Sequence, residues 1–183
     1  MRLLKGAVMK TFISFALWVV TCVGVFAAPP DDFTLKSVSE TGSFSLQAAK
    51  GQFVALHFLL KTECPVCLRH TREHMTKAAA LPNVIQVFVK PDTEEEIRAW
   101  ADQLPPEELA KTPIYRDPDA ALAKAFEIPD GYAFHGQVVH YPATVLIGPD
   151  GKEVFRYVGK NNRDRLSFDQ LAAKVAELSK PGK

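Results

Sequence analysis

The sequence predicts an α/β domain in which helices flank a mixed central sheet. Strand-like and helix-like apolar patterns alternate through the first part of the chain, which is typical of parallel strands joined by helices. Farther on, a strong turn signal at residues 149–151 joins two more strand patterns, and this late hairpin adds antiparallel strands. A chain of 183 residues with 47% hydrophobic residues suits one domain with a substantial core. The net charge of +1 offers no basic face, so nucleic acid is not an expected partner.

The elements follow one another in a clear order. The first half predicts two short β segments, at residues 33–35 and 44–46, and a buried strand at residues 52–60. A helix follows at residues 65–80 and a second buried strand at residues 83–89. Thr93, with Glu96 at the capping-box position, begins another helix, which runs to about residue 104. The remainder predicts a short strand at residues 114–115, a helix at 119–126 and a loop rich in glycine and aromatic residues at 130–139. Two strands follow at residues 144–148 and 153–158, and a last helix at residues 166–178.

The N-terminal segment has the pattern of a secretory signal peptide. Lys5 and Lys10 precede an apolar run at residues 12–26, and small residues follow at the offsets of a cleavage site. We therefore expect residues 1–27 to be removed, with residues 28–183 as the folded domain in the periplasm or outside the cell. A retained segment would instead attach the protein to a membrane, although the run is short for a spanning helix.

Cys64 and Cys67 form the most informative motif. They come just after the apolar run at residues 53–60 and open the helix predicted at residues 65–80. A helix N-terminus stabilises a thiolate, which is the reactive form of cysteine. The spacing lets the second thiol close a disulfide onto the first, so the pair can perform thiol–disulfide exchange. A purely structural bridge would close too short a loop to contribute much stability.

Several segments resemble the thioredoxin-fold redoxins, in particular the exported TlpA/ResA-like and AhpC/TSA-like thiol–disulfide oxidoreductases. They are the strand at residues 51–58, the Cys-x-x-Cys pair, the segment 115–126, the strand at residues 141–147 and the turn at residues 150–154. The resemblance covers residues 33–178. It implies a thioredoxin-like three-layer α/β/α sandwich with a mixed central sheet and an N-terminal β extension.

The resemblance also implies roles for individual residues. Cys64 would be the nucleophile and Cys67 the resolving thiol, while Tyr141 and a cis Pro142 would hold an extended client segment beside them. Neither a metal nor an organic cofactor is implied. The partners would be client proteins carrying disulfides or dithiols and a separate redox partner, and the TlpA/ResA relatives favour reduction of the client.

The chain departs from these relatives close to the cysteines. Glu63 stands where they usually have tryptophan, and its carboxylate should oppose thiolate formation unless Lys61 and Arg69 offset it. His57 stands near the position of their buried acid. Its ring could relay protons to the second thiol, or it could simply be a histidine satisfied in the core. Arg165 precedes the last helix and is expected to lie in solvent with its neighbour Arg163.

The loop predicted at residues 130–140 is longer than in typical relatives. It brings His140 close to Pro142 in sequence, so His140 is a candidate modulator of the site and the loop a candidate specificity element. The alternative is a plain surface insertion.

Two other functions remain open. One is a thiol peroxidase of the AhpC/TSA type, although Thr62 lies only two residues before Cys64 and the usual Pro-x-x-x-Thr-x-x-Cys pattern is absent. The other is a copper- or zinc-binding thioredoxin-like chaperone, because thiolate and imidazole ligands suit Cu(I) and zinc. The imidazoles available to such a site are His70, His74, His135 and His140. A solvated helix face explains His70 and His74 equally well.

Overall fold

The computed structural model describes residue 30 and residues 32–39, 42–61, 64–134 and 137–180, without the side chains of Tyr132, Phe134 and Gln137. The predicted signal peptide and its cleavage site, and likewise Thr62, Glu63 and His135, lie outside these ranges. Within them, no helix is long and apolar enough to cross a membrane.

Nine strands and five helices make up the described chain. The strands are β1 (Thr34–Lys36), β2 (Ser43–Ser45), β3 (Phe53–Phe58), β4 (Val84–Lys90), β5 (Ile114–Arg116), β6 (Asp130–Phe134), β7 (Gln137–His140), β8 (Ala143–Ile147) and β9 (Glu153–Val158). The helices are α1 (Pro65–Lys77), α2 (Glu94–Ala101), α3 (Pro106–Lys111), α4 (Ala121–Ala125) and α5 (Phe168–Leu178). Short 3-10 turns lie at Gln47–Ala49, Ala78–Ala80 and Pro118–Ala120.

Five of the strands form the central sheet, in the order β5-β4-β3-β8-β9. β3, β4 and β5 run parallel, and β8 and β9 are antiparallel to their neighbours, as the sequence predicts. β1 and β2 pair as a separate hairpin, which a single bridge from Ser37 to Tyr115 connects to the edge strand β5. This hairpin is the predicted N-terminal β extension.

The side chains of β3 divide the core into two layers. Val54, Leu56 and Phe58 face a cluster that includes α4 and the β1–β2 hairpin. Phe53 and Ala55 face the opposite cluster, which includes α5. Because all six residues of β3 are buried, the strand has helices or a hairpin over both faces. The predicted three-layer α/β/α arrangement is therefore confirmed.

α2 begins as the sequence predicts. The Thr93 hydroxyl accepts a hydrogen bond from the Glu96 N–H at 3.3 Å, and the Glu96 carboxylate accepts one from the Thr93 N–H at 2.8 Å. Two free N–H groups of the helix N-terminus are thereby satisfied reciprocally. α2 packs Trp100, which is 2% exposed, into the core beside the sheet.

Two elements differ from the prediction. The segment predicted as a loop at residues 130–139 is a β-hairpin, β6–β7, with a bulge between Asp130 and Tyr132. Gly131 is needed there, because a Cβ would lie 3.0 Å from the backbone of Tyr141 and of Val139. α3 was missed because it spans only six residues and begins at Pro106, the second of the two prolines before which the previous helix was expected to stop.

Candidate active site

Cys64 lies at the N-terminus of α1, where the chain leaving β3 enters the helix. It is the N-cap residue, and its sulfur accepts a hydrogen bond from the Cys67 N–H at 3.2 Å. Cys64 is partly exposed, whereas Cys67 is completely buried, and both are free thiols. The structure therefore places the two sulfurs together at the positive end of a helix, as predicted.

Arg165 adds a cation that the sequence analysis missed. Its Nη2 donates to the Cys67 sulfur at 3.2 Å and lies 3.6 Å from the Cys64 sulfur. The expectation that Arg165 lies in solvent is wrong, because the next residue, Leu166, is buried in the core and draws the loop against α1. Arg163 is exposed, as expected.

The loop between β9 and α5 is fixed by its own hydrogen bonds. The Asp164 carboxylate accepts from the Tyr157 hydroxyl at 2.5 Å and from the Lys160 N–H at 2.9 Å. The Gly159 N–H donates to the Pro142 carbonyl at 2.8 Å. A Cβ at Gly159 would overlap the Asp164 carbonyl and lie 2.9 Å from the Pro142 ring, so the loop needs glycine there. These contacts hold Arg165 in place.

The thiols and Arg165 together make the pair acidic. Burial opposes ionisation of Cys67, but the hydrogen bond from Cys64 and the charges of Arg165 and Lys90 outweigh it and lower the pKa of Cys67 to about 6. The same hydrogen bond, together with burial, raises the pKa of Cys64. The two sulfurs thus share one proton, and the other proton dissociates from the pair at a pH below the usual range of thiol pKa values. Moving the shared proton to Cys67 places the thiolate on Cys64, the more exposed of the two residues.

Lys90 is a second cation near the pair, and it is completely buried. Its ammonium donates to the Leu60 carbonyl at 2.6 Å and lies 3.3 Å from the Asp92 carboxylate. It also lies 4.6 Å from the ring centroid of Trp100, a cation–π contact. Leu60 and Trp100 belong to the same buried cluster as Cys67.

Tyr141 and Pro142 lie at the same end of the sheet as the cysteines. Ala143, the next residue, pairs with Phe58 at the end of β3, the strand that leads to Cys64. The predicted cis bond before Pro142 is wrong, because the described residues contain no cis peptide bond. Trans is the lower-energy isomer, and this backbone is held by two hydrogen bonds, from the Tyr141 N–H to the Pro129 carbonyl and from the Gly159 N–H to the Pro142 carbonyl.

His57 lies in a buried cluster of three imidazoles with His70 and His74. Its Nδ1 is 3.0 Å from the Thr144 hydroxyl, and its Nε2 is 2.9 Å from Gln86 Oε1. The His70 Nε2 is 3.2 Å from His57 Nδ1, and the rings of His70 and His74 are 4.3 Å apart. Burial lowers the pKa of all three, so the rings are neutral.

His74 links this cluster to the loop that carries Arg165. The His74 Nε2 donates to the Leu166 carbonyl at 3.2 Å. His70 and His74 are therefore core residues, and the expectation of a solvated helix face is wrong for both. Among the residues that the structure describes, no group of three or more His, Cys, Asp or Glu side chains is arranged to hold a metal ion.

The other predicted modulators lie around the pair rather than on it. His140 is buried, and its Nδ1 donates to the Tyr141 carbonyl at 2.7 Å, so it supports the backbone next to Pro142. Lys61 is partly exposed and lines a cavity of about 220 Å³ together with His140. Arg69 is exposed on α1. The cations that contact or face the sulfurs are instead Arg165 and Lys90.

Solved structures share this fold at low sequence identity. Peroxiredoxin Q of Xanthomonas campestris is 20% identical, with a TM-score of 0.63 over 83% of this chain and 95% of that one. The exposed lipoprotein thioredoxin of Streptococcus pneumoniae is 20% identical, with a TM-score of 0.62 over 80% and 98%. A putative thiol:disulfide interchange protein DsbE of Chlorobium tepidum is 21% identical, with a TM-score of 0.58 over 83% and 94%.

Sequence comparison gives the family. No curated protein matches the chain. The model of the AhpC/TSA family matches residues 27–154, well over half of the chain. Arg165 lies beyond that match. With the cysteine pair at the start of α1 and the five-stranded sheet behind it, the chain belongs to the AhpC/TSA family.

Proposed function

We propose that the protein is a thiol–disulfide oxidoreductase that exchanges disulfides with client proteins through Cys64 and Cys67. The observation that carries this proposal is the placement of two free thiols at a helix N-terminus, with the Arg165 guanidinium 3.2 Å from the Cys67 sulfur and 3.6 Å from the Cys64 sulfur. Such a pair supplies a thiolate near neutral pH and a second thiol within reach of the first.

The exchange uses the two cysteines in turn. The Cys64 thiolate attacks one sulfur of a client disulfide, and the other client sulfur leaves as a thiolate. Cys67 then attacks Cys64, the mixed disulfide breaks, and the client's second sulfur leaves. Cys67 suits the second step because it is completely buried and reaches only its own partner. Arg165 touches both sulfurs, so it can stabilise negative charge in either step.

Tyr141 and Pro142 are proposed to hold the client. The partly exposed Tyr141 side chain lies at the sheet end that leads to Cys64. The Tyr141 N–H already donates to Pro129, so client contacts would use the Tyr141 ring and the second lone pairs of the Tyr141 and Pro142 carbonyls. His140, which donates to the Tyr141 carbonyl, would fix the direction of that carbonyl.

His57 is proposed to relay protons together with His70. His70 lies one helical turn after Cys67 and on the same side of α1, and it is within hydrogen-bonding distance of His57. Replacing His57 with phenylalanine should shift the pH profile of the resolving step if the relay operates. A change in stability with an unchanged pH profile would leave His57 as a core residue only.

The site of action is proposed to be the periplasm or the cell exterior, since residues 1–27 have the signal-peptide pattern. N-terminal sequencing of protein recovered after export tests this: a mature chain that begins at Ala28 is expected. A retained N-terminus in the membrane fraction would instead identify an anchor.

Disulfide-exchange assays test the main proposal. The wild type is expected to exchange electrons with an insulin disulfide or a glutathionylated peptide. Cys64→Ser should abolish exchange, while Cys67→Ser should trap a mixed disulfide that mass spectrometry detects. Full activity of Cys64→Ser would refute the proposal.

Thiol peroxidase activity remains the second candidate. Membership of the AhpC/TSA family favours it, and so does the Arg165 donor beside Cys64, where a peroxide oxygen could also bind. Consumption of hydrogen peroxide in proportion to added thiol, measured with wild type and Cys64→Ser, separates this activity from disulfide exchange.

A further inference from the structure

We infer that Arg165 and Lys90 together stabilise the reduced form of the Cys64–Cys67 pair, so that the protein passes its disulfide to client dithiols and acts as an oxidant. The inference rests on the proposed function and deepens it, because it assigns the direction of electron flow. The resemblance to TlpA/ResA relatives favours the opposite direction, reduction of the client.

Arg165 lies beside both sulfurs. Its guanidinium lies 3.2 Å from one sulfur and 3.6 Å from the other, which is close enough to share a single negative charge between them. The guanidinium is held by a short loop that contains Asp164. The Asp164 carboxylate accepts hydrogen bonds from the Tyr157 hydroxyl and the Lys160 N–H. The Arg165 Nη1 donates to the Asp164 carbonyl at 3.2 Å, while its Nη2 remains directed at the two sulfurs.

Lys90 provides a second cation, which is completely buried. An ammonium with no exposed surface lies in a medium of low polarity, where its field falls off less than it would in water. The ammonium lies 3.3 Å from the Asp92 carboxylate, and it also contacts the Leu60 carbonyl and the Trp100 ring. Leu60 and Trp100 pack in one cluster with Cys67, so the ammonium contacts the part of the core that holds the buried thiol.

These cations act on one redox state only. A thiolate carries a charge that they stabilise, whereas a disulfide carries none. Stabilising the reduced form raises the reduction potential and makes the disulfide a stronger oxidant. In the resulting reaction the Cys64–Cys67 bond breaks and a client disulfide forms. Two electrons pass from the client to the protein; one of the client's two protons stays on the pair, and the other goes to solvent.

Equilibration with thioredoxin tests the direction. Oxidised protein and reduced thioredoxin are mixed in equal amounts, and the four species are quantified after acid quenching and thiol alkylation. We expect the reduced form of this protein to exceed its oxidised form by at least tenfold. An equilibrium that leaves this protein oxidised and thioredoxin reduced would overturn the inference and leave the proposed function intact. Absence of any exchange would instead refute the proposed function.

Variants test the cause. Arg165→Gln should shift the equilibrium with glutathione at least tenfold toward the disulfide, which corresponds to about 30 mV for a two-electron couple. Arg163→Gln is the matched control, because Arg163 is an exposed arginine two residues away, and a change of less than twofold is expected. The double variant Lys90→Met/Asp92→Asn removes both buried charges and should shift the equilibrium in the same direction as Arg165→Gln.

A spectroscopic readout separates an electrostatic role from a structural one. Thiolate absorbance at 240 nm, followed against pH, should show ionisation of the pair at higher pH in Arg165→Gln and at unchanged pH in Arg163→Gln. If Arg165→Gln and the double variant both keep the wild-type equilibrium and titration, the two cations do not set the direction and the inference is wrong.

Discussion

Lowering the pH from 7 to 5.5 should remove a large part of the protein's stability, because neutral imidazoles lie in its core. His57, His70 and His74 each have a pKa lowered chiefly by burial. In the unfolded chain the same rings protonate near pH 6.5. The unfolded state therefore binds more protons below that pH, and stability falls as the pH falls through 6.5 toward the folded-state values.

The size of the loss follows from the number of rings. One imidazole that stays neutral in the folded state costs about 1.2 kcal/mol between pH 7 and pH 5.5 by proton linkage. His57 and His70, whose pKa values lie well below the ordinary one, together cost about 2.5 kcal/mol. His74 and His140, whose pKa values are also lowered chiefly by burial, raise the loss to at most about 5 kcal/mol. Domains of this kind have roughly 5–15 kcal/mol of stability in total.

Urea unfolding at the two pH values, followed by fluorescence of the buried Trp100, measures the effect. The His70→Met variant is the matched comparison. In the wild type, His57 Nδ1 contacts both His70 Nε2 and the Thr144 hydroxyl, so the variant still leaves His57 with the Thr144 hydroxyl as a partner. The variant should lose about 1.2 kcal/mol less than the wild type over the interval. Equal losses in both proteins, or a wild-type stability that does not change with pH, would refute the reasoning.

Three further changes test other parts of the structure. Thr93→Ala removes the cap of α2 and should cost about 1 kcal/mol in urea unfolding, with exchange activity unchanged. Gly159→Ala should slow disulfide exchange and raise the pKa of the thiol pair, because the new Cβ displaces the Asp164 backbone beside Arg165; unchanged thiolate absorbance would contradict this. Lys90→Met alone takes the ammonium away from the buried Asp92 carboxylate and should cost about 3–5 kcal/mol, whereas adding Asp92→Asn should recover much of the loss by the same urea assay.

Local patterns were enough to predict the sheet and the position of the cysteine pair. The strand at residues 53–58 is apolar at every position because both of its faces are covered, and this pattern identifies a central strand. Pro65 at the first helical position and the two cysteines around it placed the pair at a helix start. The β6–β7 hairpin was missed because a glycine such as Gly131 suggests a loop. The close approach of Gly131 to the Tyr141 backbone, which requires a glycine within this hairpin, cannot be read from the sequence.

Long-range contacts account for what the sequence could not reveal about the site. Nothing local distinguishes Arg165 from Arg163: both precede the same helix, and only the burial of Leu166 turns one of them toward the sulfurs. His70 and His74 follow a helical spacing that fits either a solvated or a buried face. The choice depends on His57 and Phe88 in the strands beneath, which is a property of the packed fold.

The arginine above the sulfurs has a consequence for the order in which the protein matures. Arg165 is separated from Cys67 by 98 positions and from Cys64 by 101, and its loop closes only after β9 has joined the sheet. A growing chain that has emerged as far as β9 carries both thiols without the guanidinium, so its sulfurs are weaker nucleophiles at neutral pH. We therefore expect thiol reactivity to rise when the last helix docks, which would limit crosslinking between the unfinished polypeptide and its neighbours.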